Sequence, residues 1–383
     1  MKSQKHLFSL QPNIHYLNCA YKAPLLKAAE EACKETLIRE RNPFNIEPID
    51  FFTTNEKVRA MFAKLIGSEA KNIAIMPSTS YGFASVLGNI RGKENGNALT
   101  LQDEFPSGYF SLQRWCRENE NELRIAKPGS GNIQGESWNE DILNQIDEQT
   151  SVVLMSSVHW MNGLRFDLKK IGQRCREVGA KFIVDGTQSV GAIPMDVHSN
   201  YIDALVGATY KWLFGTYSIA LAYISDEFEN GQPLEESWMN RVNSKDFTQL
   251  TSYSDEYNPG AGKYNVGEKS NLIAMPILKE SLKQILEWGP GNIQAYCSNL
   301  IQPLLEYLRE IGVELEGKEY FSNHIFALSL PDNMDEELLK ANLAKNNIYI
   351  SIRGGKLRVS VNVFNEEADI IKLISVMEQT MAG

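Results

Sequence analysis

The segment KFIVDGTQSVGAIPMDVHSNYIDALVGATYKWLFG, residues 181–215, decides the fold. Two short apolar runs within it, Phe182–Val184 and Ala204–Val206, have the length and composition of buried strands. Asp185 directly follows the first run, and Lys211 lies in the turn after the second. Ligands of parallel α/β sheets bind beyond the carboxyl ends of the strands. The two side chains are therefore candidates for a common site.

Similar apolar runs recur on both sides of this segment, with helical patterns between several of them. Asp167–Val178 has apolar residues three or four positions apart and is followed by Gly179, a typical helix stop. The alternation predicts an α/β fold whose large domain has a mostly parallel seven-stranded sheet flanked by helices. The other predicted strands of this sheet are Ile73–Met76, Ala98–Leu101, Leu123–Ala126, Val152–Met155 and Ile219–Ile224.

The carboxyl-terminal part of the chain has a different pattern, which predicts a smaller α+β domain. A polar connection over 226–264 precedes helical patterns at 273–288 and 293–311. Strand-like pieces at 325–330, 348–352 and 357–363 then surround a helix at 335–345, and a last helix covers 366–381. We predict an N-terminal segment at 1–20, a large domain at 21–260 and a small domain at 261–383.

Composition excludes several classes of protein. With 38 Lys and Arg against 48 Asp and Glu, the net charge of −10 argues against non-specific binding to nucleic acid or to an anionic membrane. The five cysteines are far apart and form no CxxC pair, which predicts reduced thiols and no metal site. No apolar run has the length of a membrane span, and the first residues lack a signal-peptide core. These features predict a cytoplasmic protein.

A carboxylate and a lysine at neighbouring strand ends suit the chemistry of pyridoxal 5'-phosphate (PLP). The amine of Lys211 can form a Schiff base with the aldehyde of PLP, and Asp185 can keep the pyridine nitrogen protonated. The protonated ring then accepts electrons from the α-carbon of a substrate. Taken singly, the two residues would be read as a helix-capping acid and a surface lysine, but their shared context favours the cofactor.

Four motifs resemble the class V aminotransferases of PLP fold type I. This family includes cysteine desulfurases, selenocysteine lyases, kynureninases and isopenicillin-N-epimerase-like proteins. DGTQSVGAIPMDV and YKWLFG are similar to the segments around the acid and the lysine of the family. HYLNCAYKAPL, residues 15–25, is similar to the opening segment, and LRVSVNVFNEEADI, residues 357–370, to the closing arginine motif.

The resemblance implies PLP as the cofactor, with Lys211 and Asp185 as the catalytic residues. In MPSTSYGFASVL, the hydroxyl-bearing residues after a strand would bind the phosphate at a helix N-terminus. Phe105 would cover one face of the ring, and Tyr210 would donate to the phosphate. The cofactor-binding residues implied in this way are Thr79, Ser80, Phe105, Asn162, Asp185, Gln188, Tyr210, Lys211 and Asn271.

The resemblance also implies a substrate site and a partner subunit. Arg358 matches the arginine that binds the substrate carboxylate, and Arg353 is a second candidate because the guanidinium fork suits a carboxylate. Family members share active sites across a homodimer interface, and NPGAGKYNVGEKSN, residues 258–271, resembles the loop that reaches the partner's phosphate. Asn271, or Ser270, would make that contact. The partners expected are thus an amino acid and a second copy of the chain.

The predicted function is that of a PLP-dependent enzyme acting on a small amino acid or amine through Schiff-base and quinonoid intermediates, as an aminotransferase or a C–S or C–C lyase. A persulfide-forming cysteine desulfurase is disfavoured because no cysteine lies in the loop between Arg353 and Arg358. An epimerase, a kynureninase-like hydrolase and an inactive binding protein remain as alternatives. A nicotinamide dehydrogenase is rejected because the glycines at 129, 131 and 135 do not have GxGxxG spacing.

Overall fold

The computed structural model describes residues 1–331, 334–353 and 355–382, apart from the side chains of Arg353 and Ala382. The strands are β1 (His15–Tyr16), β2 (Ile73–Met76), β3 (Asn97–Leu101), β4 (Glu122–Ala126), β5 (Thr150–Ser156), β6 (Lys181–Asp185), β7 (Ala204–Ala208), β8 (Ala220–Ile224), β9 (Ile325–Ser329), β10 (Ile348–Tyr349), β11 (Ser351–Arg353) and β12 (Lys356–Ser360). The helices are α1 (Lys27–Glu40), α2 (Asp50–Leu65), α3 (Thr79–Leu87), α4 (Pro106–Glu118), α5 (Gly135–Gln145), α6 (Leu168–Val178), α7 (Ala274–Trp288), α8 (Pro290–Leu300), α9 (Gln302–Glu310), α10 (Glu336–Lys345) and α11 (Glu367–Ala382).

The largest sheet has seven strands in the order β2-β8-β7-β6-β5-β3-β4. Neighbouring strands are parallel from β7 through to β4, whereas β8 is antiparallel to both of its neighbours. Every residue of β3, β5 and β7 is buried, which explains why their apolar residues do not alternate with exposed polar ones. The predicted α/β fold with a mostly parallel seven-stranded sheet is therefore confirmed.

Strand direction brings several chain segments to one edge of this sheet. Since β2 and β7 are both antiparallel to β8, β2 runs in the same direction as the parallel strands. The turns after β2, β3, β5, β6 and β7 therefore lie at the same edge. In open α/β sheets this edge is where ligands bind.

A second, antiparallel sheet of order β11-β12-β9 carries Arg358 in the middle strand, opposite Ala327 and Ser351. Residues 15–23 link two other parts of the chain. Within them β1 pairs in parallel with β10, while the backbone N–H of Ala23 donates at 3.0 Å to the carbonyl of Tyr210, in the turn after β7. The division into residues 1–20, 21–260 and 261–383 stays a prediction.

Helix boundaries follow the local sequence signals, with one clear exception. Asp167 caps α6 by accepting from the backbone N–H of Lys170, and Gly179 ends the helix with φ 69°, a left-handed conformation. The single helix predicted over 293–311 is wrong: α8 ends at Leu300 and α9 begins at Gln302. Pro303 explains the break, because proline cannot donate to the carbonyl one turn earlier and its ring clashes with it. Within the described residues, no helix is both long and apolar enough to cross a bilayer.

Candidate active site

Lys211 lies in the turn after β7 with a buried side chain, 7% exposed. Burial lowers the pKa of its amine to about 8, because a charge is poorly solvated there. The negative charge of Asp185 opposes this change, and the positive charge of Arg358 adds to it. Lysine amines are nucleophilic only when neutral. This environment therefore leaves part of the Lys211 amine in its neutral, nucleophilic form near neutral pH.

Asp185 is the last residue of β6 and is also buried. The backbone N–H of Gly186 donates to Val206 at 2.8 Å, which places the end of β6 directly beside β7. One carboxylate oxygen of Asp185, Oδ1, accepts from the backbone N–H of Thr187 at 2.8 Å. Burial raises the pKa of Asp185, and hydrogen bonds from Thr187 and the charge of Lys211 oppose the rise. The two residues on which the sequence argument depends thus lie in one electrostatically coupled pair.

Aromatic rings surround the amine of Lys211. Its Nζ lies 5.8 Å from the centroid of the Phe105 ring and 5.6 Å from that of Tyr210. Trp160 packs edge-on against Phe105, with ring centroids 5.5 Å apart. Its indole N–H donates to the carbonyl of Asp103 at 2.8 Å. The structure thus brings the predicted residues Phe105 and Tyr210 together with Lys211, and adds Trp160 to them.

The first turn of α3 lies at the same edge of the sheet. Ser78 caps the helix by accepting from the backbone N–H of Tyr81 at 3.1 Å, and its hydroxyl is 2.9 Å from that of Ser80. The N–H groups of Thr79 and Ser80 are in the helix turn that has no intrahelical acceptors. Gly82 allows α3 to pack closely on β7, since a Cβ there would be 2.7 Å from Val206. This arrangement matches the donor set that a phosphate requires.

Arg358 connects the smaller sheet to this site. It is buried within β12, and its Nη1 donates to the carbonyl of Trp160 at 2.7 Å. The positive charge of Arg358 also lowers the pKa of Lys211, so the guanidinium lies near enough to act on the amine. The other predicted arginine, Arg353, has its side chain outside the described residues.

Two predicted residues have side chains that are already engaged within the chain. The amide oxygen of Gln188 accepts from the indole N–H of Trp212 at 2.8 Å, and its Nε2 donates to Ala20 at 3.3 Å. Asn271 caps α7, because its Oδ1 accepts from the backbone N–H of Ala274 at 2.8 Å. Their roles in binding PLP stay predictions.

Asn162 is placed differently from its neighbour Trp160. Its Oδ1 accepts from the backbone N–H of Leu164 at 3.0 Å and lies 3.1 Å from Nδ1 of His159. Its carbonyl accepts from the backbone N–H of Ala327 at 3.1 Å, so this part of the loop faces β9. Its contact with the cofactor stays a prediction, whereas Trp160 has direct contacts with both Phe105 and Arg358.

Sequence reasoning missed Glu104 and Trp160. Glu104 is buried and accepts hydrogen bonds from the backbone of Phe105 and from Ser156. Its position just after a strand was a usable signal, because it is the only acid in DEFPSGYF apart from the exposed Asp103. No comparable signal marks Trp160, because an aromatic residue in a loop is equally typical of simple packing.

The types of side chain at this edge of the sheet match the chemical groups of PLP. A buried lysine with a lowered pKa can bind an aldehyde, and a buried acid beside it can bind a protonated ring nitrogen. Phe105 offers a flat apolar face for the ring, and the start of α3 offers donors for a phosphate.

Comparison with known proteins agrees with this reading. The family model described as aminotransferase class-V matches residues 48–373. The chain belongs to the class V aminotransferase family. It is accordingly a PLP-dependent enzyme of fold type I, and the resemblance found in its motifs is confirmed.

Relatives within the class V aminotransferase family differ in activity. Kynureninase of Bacillus cereus is 24% identical over 347 residues, which cover 86% of this chain and 79% of that protein. The uncharacterized aminotransferase YcbU of Bacillus subtilis is 23% identical over 265 residues, 69% of this chain and 67% of the relative. Among solved structures, a C-DES variant with glycine covalently linked to its PLP matches with TM-score 0.85 and 17% identity, over 98% of this chain and 99% of the other.

Proposed function

We propose that this protein is a homodimeric PLP enzyme that acts on the amino group of a small amino acid or amine, as an aminotransferase or as a C–S or C–C lyase. The observation that carries the proposal is the buried pair of Lys211 and Asp185 at adjacent strand ends. Burying either charge costs free energy, which a ligand that interacts with both groups would offset. The pair therefore supports a cofactor with an aldehyde and a basic nitrogen.

Each residue of the site has a task that its surroundings support. Bound PLP supplies an electron-accepting ring, and Asp185 would hold the nitrogen of that ring in its protonated form. The amine of Lys211, neutral in part at physiological pH, would bind the cofactor and afterwards carry a proton to or from the substrate carbon. Thr79 and Ser80 would hold the phosphate, and Phe105 would exclude water from one ring face.

Arg358 would bind the carboxylate of the substrate. It is buried, its charge acts on Lys211, and the hydrogen bond from its Nη1 to Trp160 fixes its orientation. The planar guanidinium group suits a carboxylate, which is why Arg358 supports an amino acid rather than a simple amine as the main substrate. Trp160 would then lie beside the substrate.

The cysteines argue against a persulfide-forming desulfurase. Cys19, Cys116, Cys175 and Cys297 are buried, and burial raises the pKa of all four thiols, to about 12 for Cys19 and about 11 for Cys116. Cys33 is half-buried on α1. A sulfur carrier must be an accessible thiolate, and a thiol with a raised pKa is a poor one. The C–S lyase alternative remains because it releases its product without a protein thiol.

Two alternative reactions on the same site are an epimerisation and a kynureninase-like hydrolysis. The second is favoured by the similarity to a protein named kynureninase. A dimer is supported by family membership, and Asn271 or Ser270 would reach the partner's phosphate from the start of α7. The absence of any disulfide among the five cysteines supports a reducing compartment such as the cytoplasm.

The proposal is tested with the purified protein loaded with PLP. Amino acids and amines are added one at a time, and a change in the visible absorption of the bound cofactor marks those that react. Keto acid, alanine and sulfide are then assayed for each one that does. We expect a response to a small set of amino acids, and no product from any of them in Lys211→Ala. A wild-type protein that takes up no PLP, or a Lys211→Ala variant with full turnover, contradicts the proposal.

A further inference from the structure

A second buried acid, Glu104, lies beside Asp185 and has no part in the function proposed above. It follows β3 and precedes α4, and its side chain is buried, with 6% of the residue exposed. Its Oε1 accepts from the backbone N–H of Phe105 at 2.6 Å, and its Oε2 from the backbone N–H of Ser156 at 2.7 Å. The hydroxyl of Ser156 donates to Oε1 as well. One carboxyl group thus joins the turn after β3 to the last residue of β5.

These hydrogen bonds fix the residue that faces Lys211. Phe105 directly precedes α4, and its carbonyl accepts from the backbone N–H of Gly108 at 2.9 Å. The helix lies close over the acid, since a Cβ on Gly108 would be 3.4 Å from Cγ of Glu104. With its N–H held by Glu104 and its carbonyl by the first turn of α4, the backbone of Phe105 has little freedom. Its ring is held near the amine of Lys211 for the same reason.

The charge of Glu104 acts on the same site. Burial raises its pKa to about 7, the nearby charge of Asp185 adds to the rise, and the donors from Ser156 and Phe105 oppose it. From the other packed elements, the ionisable groups at this edge include Asp185 of β6, Tyr210 and Lys211 after β7, and Arg358 of β12. His159 bonds the carbonyls of Gln102 and Asp103, and burial lowers its pKa, so it stays neutral.

We propose that Glu104 is a positioning residue of the PLP site, which fixes Phe105 against the end of β5 and adds its negative charge to that of Asp185 in stabilising a protonated cofactor nitrogen. This inference rests on the proposed function, because it needs the cofactor in that place. Two acids near one cation favour its protonated form more than one acid does. Hydrogen bonds from Ser156 and Phe105 oppose the effect of burial, so part of the Glu104 carboxyl is ionised at neutral pH and more of it above its pKa of about 7.

The test separates charge from positioning with three variants, Glu104→Gln, Glu104→Asp and Ser156→Ala. The dissociation constant of PLP and the pH midpoint for protonation of its ring nitrogen, followed by nitrogen NMR of isotopically labelled cofactor, are measured for each. Glu104→Gln removes the charge at nearly constant shape, so we expect the midpoint to fall by about one pH unit and the affinity for PLP by about tenfold. Glu104→Asp keeps the charge but not the reach to Phe105, so the affinity falls while the midpoint stays near that of the wild type.

Ser156→Ala keeps the carboxyl group but removes the hydroxyl donor that lowers the pKa of Glu104, so less of the carboxylate is ionised at neutral pH. We therefore expect its midpoint to lie between those of the wild type and Glu104→Gln. If Glu104→Gln does not fold, an unchanged PLP affinity in Glu104→Asp still overturns the positioning role. A Glu104→Gln midpoint equal to that of the wild type overturns the role of the charge. A wild-type protein with no PLP band instead defeats the proposed function, so the two failures are distinguishable.

Discussion

Replacing Lys211 with methionine tests the electrostatic description of the site in the protein without cofactor. Burial lowers the pKa of Lys211 from its ordinary value of 10.5 to about 8. Between these values the unfolded chain holds the lysine proton and the folded chain does not, so the stability of the fold rises with pH. A difference of about 2.5 pH units corresponds to ~3 kcal/mol. Most of this, about 2 kcal/mol, is gained between about pH 7.5 and about pH 9.5.

The variant isolates this contribution from those of other groups. Lys269, for example, is also buried, and its pKa is lowered to about 8. Its contribution cancels when the free energy of unfolding of Lys211→Met is subtracted from that of the wild type, since distant sites contribute independently. From about pH 7.5 to about pH 9.5, we expect the free energy of unfolding of the wild type to increase by about 2 kcal/mol more than that of the variant.

The assay is urea denaturation of the apoprotein, followed by tryptophan fluorescence at several pH values. Lys34→Met, at an exposed position on α1, is the control, and its stability should run parallel to that of the wild type. The reasoning would be refuted if the wild type and Lys211→Met differed in free energy of unfolding by an amount that stays constant to within about 0.5 kcal/mol across the window. The amine of Lys211 would then be solvated, and a neutral form near neutral pH would need another cause.

Three further substitutions have defined outcomes. Arg358→Lys keeps the charge but loses the planar fork, so KM for amino acids should rise about tenfold while amines without a carboxylate are unaffected in steady-state kinetics. Gly163→Ala should cost about 3 kcal/mol in urea denaturation, because Gly163 has φ 75° and a Cβ would meet the backbone of Ile325. Asp185→Asn should retain PLP but lower turnover by about 100-fold. Unchanged turnover would show that Asp185 does not stabilise the protonated ring nitrogen.

The large sheet was predictable because its strands are both apolar and short. β2 is correct to the residue, and β6 extends one residue beyond its predicted run at each end, so that Asp185 is its last residue rather than the first of the turn. The break between α8 and α9 shows the limit of the method. Hydrophobic spacing continues across Pro303, and only the backbone chemistry of proline interrupts the helix.

The neighbouring positions of Asp185 and Lys211 were predictable because polar residues there follow apolar runs. Positions were not predictable where the course of a loop decides which side chain faces inward. Asn162 and Trp160 are two residues apart, and the polar one was the natural choice. Gly163, with φ 75°, turns the chain so that Asn162 faces β9 and Trp160 packs on Phe105. Nothing in the spacing of the residues indicates that turn.

Glu104 follows a strand, so its signal was in the sequence, and its burial explains part of the cost that the apoprotein carries at this site. Burial raises the pKa values of Glu104 and Asp185 and lowers that of Lys211. In each case it favours the neutral form, so the fold disfavours each charge. A chain selected for stability alone would replace such groups with apolar ones. Binding of a ligand that needs these charges reverses the cost, since it stabilises the folded state by about 2.7 kcal/mol at 100 times its dissociation constant. The same buried charges that weaken the empty fold are therefore the physical reason that it should bind its cofactor tightly.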